Sequence, residues 1–230
     1  ESYKPSTNYS DEDLYKAYQV AYQAANGTKS PEDVQKATAS FLGTYLGSGD
    51  YANAKQQIWN NAMGALSGTQ RDKVISASDG IETLKEINSL MKDYYADGGS
   101  TDMFTGSIED VMRDLGTSQD SRLVQISSLM QTAVDYRSRQ QSGAALSETE
   151  VAFYNALYPA ITNLSGVNDT LLETQLGTFY REQRNRIGGV IGVDYYDKFF
   201  GADTLSQERG WNDEDATNTQ NALYNILTIK

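Results

Sequence analysis

Most side chains that enzymes use for acid–base and nucleophilic chemistry near neutral pH are missing from this chain. The sequence contains no His and no Cys, which excludes imidazole bases, thiolate nucleophiles and thiolate metal ligands. Carboxylates, lysines and tyrosines remain for general acid–base catalysis, and carboxylates remain as ligands for a hard cation. The sequence has no glycine-rich phosphate-binding motif, zinc-protease motif or serine-nucleophile motif.

One acidic stretch has the composition of a calcium-binding loop. Asp93, Asp97-Gly98 and Asp102 combine oxygen ligands with a glycine that permits a tight turn. An EF-hand loop also requires an oxygen ligand two residues after its first Asp and a Glu at its end, but these places hold Tyr95 and Phe104. We therefore expect no metal and no cofactor, and a calcium ion in this stretch stays as an alternative.

A pair of carboxyl groups beside an aromatic-lined groove would suit a glycoside hydrolase. Glu148 and Glu150 are close in sequence, but Glu150 stands three residues after Ser147, a spacing typical of a helix capping box. Capping explains the pair without catalysis. We therefore expect no enzymatic activity and assign no catalytic residue, and a carboxylate-dependent hydrolase stays as an alternative.

Tyrosines offer a different kind of site, a surface for binding other molecules. Tyr15, Tyr18 and Tyr22 fall on one face of a predicted helix, and Tyr195 and Tyr196 lie in a second aromatic stretch. A phenol ring combines a large apolar area with a hydroxyl group, which suits both core packing and protein contacts. Two interpretations of the first three tyrosines follow, packing residues of an amphipathic helix or a tyrosine-lined contact surface.

The densest group of positive charge contains Arg181, Arg184 and Arg186. Glu182 lies among these arginines, so the group is typical of a solvated or salt-bridged helix face. A contact site for an acidic partner protein is the alternative interpretation.

Helix-start and helix-stop signals recur along the whole chain and position these candidate residues. Apolar residues between the signals repeat at 3–4 spacing, and no run of alternating β-branched residues predicts a strand. The predicted fold class is therefore all-α, a multi-helix bundle of about eight to nine helices that can divide into two sub-bundles. The predicted start signals are Ser10, Ser30-Pro31, Asp50, Thr69, Ser107, Thr117, Ser147, Asp169 and Asn212.

Glycines predict where the chain divides. The stretch DGGSTDMFTG at 97–106 predicts a boundary between an N-terminal sub-bundle at 10–97, preceded by an extended arm at 1–9, and a C-terminal sub-bundle at 107–230. Within the helices, Gly80 is a predicted weak point. Gly188-Gly189 and Gly192 predict a break before a short aromatic helix.

The stretch YRSRQQSGAALSETEVAFYNALYP, residues 136–159, predicts a helical hairpin. Gly143 is a C-terminal stop, Ser147 and Glu150 form the capping box of the next helix, and Pro159 ends it. Ordinary helix-corner chemistry thus explains the joint. The residues assigned to it are Ser142, Gly143, Ala144, Ala145, Ser147, Glu150 and Pro159.

This hairpin, followed by LLETQLGTFYREQRNRI, resembles a helical hairpin element of large virion proteins of tailed bacteriophages, among them tail-tape-like and internal or ejection-type structural proteins. The resemblance covers about residues 130–190 and brings no catalytic residue with it. It implies a structural protein of the virion that acts through helix-mediated contacts with other protein chains, in a homo- or hetero-oligomeric assembly. The matching residues are Tyr136, Arg137, Ser142, Gly143, Ala144, Ala145, Ser147, Glu150, Tyr154, Leu157 and Pro159.

The charge balance narrows the possible partners. A net charge of −12 opposes binding to nucleic acid, where lysines and arginines must replace counterions, and no apolar run is long enough for a membrane span. Two functional hypotheses remain beside the hydrolase. The first is the virion structural protein. The second is a helical binding module of a secreted or cell-surface protein, which would recognise protein or glycan through exposed tyrosines.

Overall fold

The computed structural model of the chain describes residues 9–27, 29–99, 113–141 and 167–200. These residues form helices joined by short turns, and no strand occurs among them, so the predicted all-α fold class is confirmed. The hairpin residues from Ser142 to Pro159, the arm at 1–8 and the predicted starts at Ser107 and Asn212 lie outside the described residues. The helices are α1 (Asp11–Ala25), α2 (Pro31–Phe41), a π-helix (Leu42–Leu46), α3 (Tyr51–Ala65), α4 (Gly68–Ala96), α5 (Ser121–Gln141), α6 (Val167–Ile191) and α7 (Val193–Phe200).

The first helices begin where the capping signals predict. At α1 the Ser10 hydroxyl accepts a hydrogen bond from the Asp13 amide, and the Asp13 carboxylate accepts one from the Ser10 amide at 3.0 Å. At α2 the Ser30 hydroxyl accepts from the Asp33 amide, and Pro31 occupies the first helical position. Asp50 caps α3 through the amide of Asn53. Such caps satisfy amides that have no partner within the helix, which fixes the starts locally.

The described residues form two compact units. The first contains 9–72 and 181–200, and the second contains 73–99, 113–141 and 167–180; both divisions fall inside helices, α4 and α6. These limits differ from the predicted sub-bundles at 10–97 and 107–230 because 181–200 packs with the first helices across a long sequence separation. As folding domains, the predicted sub-bundles stay a prediction.

In the first unit, α1 packs along α3. Small side chains at the contact allow the two backbones to approach, and a Cβ added to Gly64 of α3 would lie 3.5 Å from the Cβ of Ala25. Aromatic and aliphatic residues fill the space on either side. The buried residues of these two helices are Leu14, Ala17, Tyr18, Ala21, Ala54, Ile58 and Ala62.

In the second unit, the core lies between α4, α5 and the first half of α6. Gly80, the predicted weak point, is buried against the ring of Phe179, and a Cβ at this position would lie 2.5 Å from two ring atoms. Gly80 therefore makes room for the ring, and the interpretation as a weak point was incomplete. The other fully buried large residues of this unit are Leu84, Ile87, Leu115, Leu123, Ile126, Met130 and Leu176.

Both ends of α6 differ from the prediction. The helix begins at Val167, so Asp169 lies inside it and is not its N-cap. It also continues through Gly188-Gly189 and ends only before Gly192, whose φ of +97° reverses the chain into α7. An added Cβ at Gly188 would lie 3.3 Å from the Cα of Val193, so this glycine permits the close turn.

Within the described ranges, no helix has the length and apolar character that crossing a membrane requires.

Candidate protein-binding surface

The three tyrosines of α1 have different surroundings. Tyr18 is only 9% exposed, and its ring is stacked on Phe41 with the ring centroids 4.0 Å apart. Tyr22 is partly exposed, stacks on Tyr18 at 5.8 Å and accepts a hydrogen bond from the ammonium of Lys29 at 3.1 Å. Tyr15 is also partly exposed. The packing interpretation therefore applies to Tyr18, while the other two retain surface for contacts.

The two tyrosines of α7 also differ. Tyr196 has no exposed surface, and its hydroxyl donates to the Oε1 atom of Gln183 at 3.2 Å. Its interior position corrects the assignment of Tyr196 to a contact surface. Tyr195 remains partly exposed, with its ring stacked on Phe199 and the ammonium of Lys198 lying 5.8 Å from its centroid.

Two arginines of this group, Arg184 and Arg186, form ion pairs within the chain. The guanidinium of Arg184 donates to both carboxylate oxygens of Asp197, at 2.7 and 2.8 Å, and this pairing raises the pKa of the arginine. Arg186 pairs with Glu182 at 2.6 Å. Arg181 is partly buried as well. The salt-bridged interpretation is thus confirmed for Arg184 and Arg186, whose charges are already matched internally.

Asp97, a member of the candidate calcium stretch, also has an internal partner. Arg122 donates to its carboxylate at 2.6 Å and to Asp120 at 2.7 Å. Asp93 is exposed, and Asp102 lies outside the described residues. No group of three or more metal-binding side chains comes together within the described part of the chain.

The first unit carries a surface that sequence reasoning missed. It forms where the start of α1, the start of α3 and α7 meet, and ring contacts and an ion pair join the three helices there. We name it the tyrosine–lysine patch. It consists of Tyr9, Asp11, Glu12, Asp13, Lys16, Tyr51, Lys55, Tyr195, Lys198 and Phe199.

Aromatic rings form the frame of the patch. Tyr9 lies edge-on against Phe199, with the ring centroids 5.1 Å apart, and Phe199 is stacked in turn on Tyr195 at 5.8 Å. The ammonium of Lys55 lies 5.7 Å from the centroid of Tyr9. Tyr51, at the first position of α3, is 37% exposed. The patch therefore presents phenol rings that neighbouring side chains already hold in place.

Ion pairs tie the charged members together. Lys198 of α7 lies 3.3 Å from the Asp13 carboxylate, which also accepts from the Ser10 amide. Lys16 pairs with Glu12 at 2.6 Å. These contacts lower the pKa of Asp13, chiefly through the Ser10 amide, and raise the pKa of Lys16, chiefly through Glu12. Asp13 and Lys16 therefore stay charged near neutral pH.

The hydroxyls of Tyr9 and Tyr51 stay protonated near neutral pH. Burial, followed by the nearby hydroxyl of Tyr51, raises the pKa of Tyr9, and a hydrogen bond to the Asp11 carboxylate raises the pKa of Tyr51. A phenol whose pKa lies above its usual value of about 10 is a poor general base near neutral pH. The arrangement suits contact through rings and hydrogen bonds better than catalysis.

Comparisons with protein-family models, with curated proteins and with solved structures find no match to this chain.

Proposed function

We propose that this protein is a non-enzymatic structural protein that acts through contacts between its helical surfaces and other protein chains. The tyrosine–lysine patch is the observation that carries the proposal. Tyrosine is enriched in the buried centres of protein interfaces, and its rigid ring loses little conformational entropy on binding. Because Tyr9 and Tyr195 are already packed on Phe199, a partner would have little further order to impose on them.

We further propose that the assembly is the virion of a tailed bacteriophage. The resemblance of residues 130–190 to a helical hairpin element of phage virion proteins supports this location. The charge distribution agrees with a structural role, since a net charge of −12 favours solubility before assembly. In this role the patch would contact copies of the chain or other virion proteins.

Solution mass tests the proposal. The purified chain, at rising concentration, is separated by size exclusion, measured by light scattering and imaged by negative-stain electron microscopy. We expect species heavier than the 25.4 kDa chain, with rings, tubes or filaments among the images. A 25.4 kDa monomer at every concentration, which also captures no virion protein when offered disassembled phage particles, would contradict the proposal.

A second function is favoured by the exposure of Tyr51, a residue at the start of α3 that is 37% exposed. An open phenol ring beside carboxylates can stack on a sugar and accept hydrogen bonds from its hydroxyls. The chain would then be a helical binding module of a secreted or cell-surface protein. Binding of the monomer to one class of glycan on an array, with loss in Tyr51→Ala, would favour this function over assembly.

A further inference from the structure

The charges of the tyrosine–lysine patch cancel, although the chain as a whole is strongly acidic. The patch contains three carboxylates and three lysines, while the chain carries −12. Lys16 and Glu12 have exposed side chains, at 54% and 71%, and Lys198 is 39% exposed. Groups of both signs are therefore present at the surface and can reach a neighbouring molecule.

A patch of zero net charge that presents both lysines and carboxylates suits one partner in particular, a second copy of the chain. Two molecules that each carry −12 repel one another over most approaches, and a patch of zero net charge lowers that repulsion. In a two-fold interface each surface meets itself, so residue i contacts residue j and residue j contacts residue i. A patch that alternates carboxylates with lysines can satisfy this condition by placing each lysine against a carboxylate of the other copy.

Resting on the proposed function, we propose that two copies of this chain dock patch to patch about a two-fold axis. Tyr51, the most exposed tyrosine of the patch, begins α3 and lies beside Asp11, which begins α1. Tyr9 and Tyr195 pack against Phe199. These rings supply the apolar area of the interface, and the lysine–carboxylate pairs around them fix its register. The partner surface is therefore an identical patch of zero net charge, with tyrosines at its centre and with lysines that can face carboxylates of the other copy.

Paired charge variants test the docking. Lys16→Glu with Lys198→Glu gives an acidic patch, and Asp11→Lys with Glu12→Lys gives a basic patch. In a two-fold interface, like charges then meet like charges, so each variant alone should show at least about a tenfold larger dissociation constant for the dimer. Mixed in equal amounts, the two variants should form a heterodimer of twice 25.4 kDa. Analytical ultracentrifugation of one labelled variant mixed with the other measures how much heterodimer forms.

The matched control is Lys36→Glu with Lys92→Glu, which changes the net charge equally at two exposed positions outside the patch. Any larger dissociation constant of this control measures the added general repulsion, and its change should be much smaller than that of the acidic patch variant. Tyr51→Ala, which removes the most exposed ring without altering charge, should also weaken the dimer, and it keeps the test decisive if the basic variant does not fold.

The outcomes separate this inference from the proposed function. Loss of dimer in each charge variant with recovery on mixing supports docking through the patch. If the wild type self-associates and the charge variants and Tyr51→Ala associate equally well, docking through the patch is contradicted. The proposed assembly function is not affected by that result. A wild type that never associates overturns the two-fold docking, and capture of another virion protein then decides the assembly function separately.

Discussion

Two helical glycines, Gly80 and Gly189, have opposite surroundings, and alanine at each should change stability in opposite directions. A Cβ at Gly80 would meet the buried ring of Phe179 at 2.5 Å, whereas a Cβ at Gly189 meets nothing within 4 Å. Gly80→Ala should lower the free energy of unfolding by about 1–2 kcal/mol, because overpacking outweighs the gain in helix propensity. Gly189→Ala should raise it by about 0.5–1 kcal/mol. Urea denaturation measures both, and equal stabilisation by the two changes would contradict the close packing at Gly80.

The carboxylate of Asp13 makes two stabilising interactions. It completes the capping box of α1, and it forms an ion pair with Lys198. Asp13→Ala should lower the free energy of unfolding by about 1–2 kcal/mol at pH 7. The matched change, Asp33→Ala, removes only a bond to Ser30 at the start of α2 and should cost about 0.5 kcal/mol. Denaturant titrations of both variants at pH 7 check this difference.

The same carboxylate predicts a pH dependence. Because the Ser10 amide, with a further contribution from Lys198, lowers the pKa of Asp13 in the folded state, its stabilising effect is fully present above the unfolded pKa of about 4. The effect is lost as the pH falls through the lowered folded value. The stability difference between wild type and Asp13→Ala should therefore shrink below about pH 4. A difference that stays constant from pH 7 to pH 3 would show that ionisation of Asp13 contributes nothing.

At the scale of helices, α7 is held against α6 by a fork of two hydrogen bonds from Arg184 to Asp197. The side chains are 16% and 35% exposed, whereas those of the Lys36–Glu32 pair on α2 are 71% and 76% exposed. A double-mutant cycle to alanine should give a coupling energy of about 1–2 kcal/mol for the first pair and about 0.3 kcal/mol for the second. Similar small values for both pairs would mean that packing of Tyr196 and Phe199, rather than the ion pair, holds α7.

Sequence reasoning performs best for the starts of helices and less well for what helices pack against. The caps at Ser10, Ser30 and Asp50 act within a few residues, so the local pattern contains all the information needed. The continuation of α6 through Gly188-Gly189 depends instead on tertiary packing, which overrides the low helix propensity of glycine. The spatial neighbour of Gly80 could not be predicted either, because Phe179 lies far along the chain.

At the scale of the whole molecule, the candidate site depends on contacts that no local pattern encodes. Asp13 and Lys198 meet across 185 positions of sequence, and Tyr9 meets Phe199 across a similar separation. The only local signal was the tyrosine-rich stretch of α7, and it suggested Tyr196, which is buried, together with Tyr195. Helix signals and the 3–4 spacing of apolar residues predicted the all-α class, and composition predicted the acidic character. The position of the neutral patch requires the folded chain.

The net charge of −12 predicts how association responds to salt. Repulsion between two copies acts over long distances, and the Debye length falls from about 30 Å at 0.01 M salt to about 8 Å at 0.15 M. Pairs within a closed interface are screened much less, because water and ions are largely excluded from them. The dissociation constant of the dimer should therefore fall by at least about threefold over this range at pH 7. Sedimentation equilibrium in a NaCl series measures it, and a constant that rises steadily with salt would show that attraction between charges, rather than relief of net repulsion, controls association.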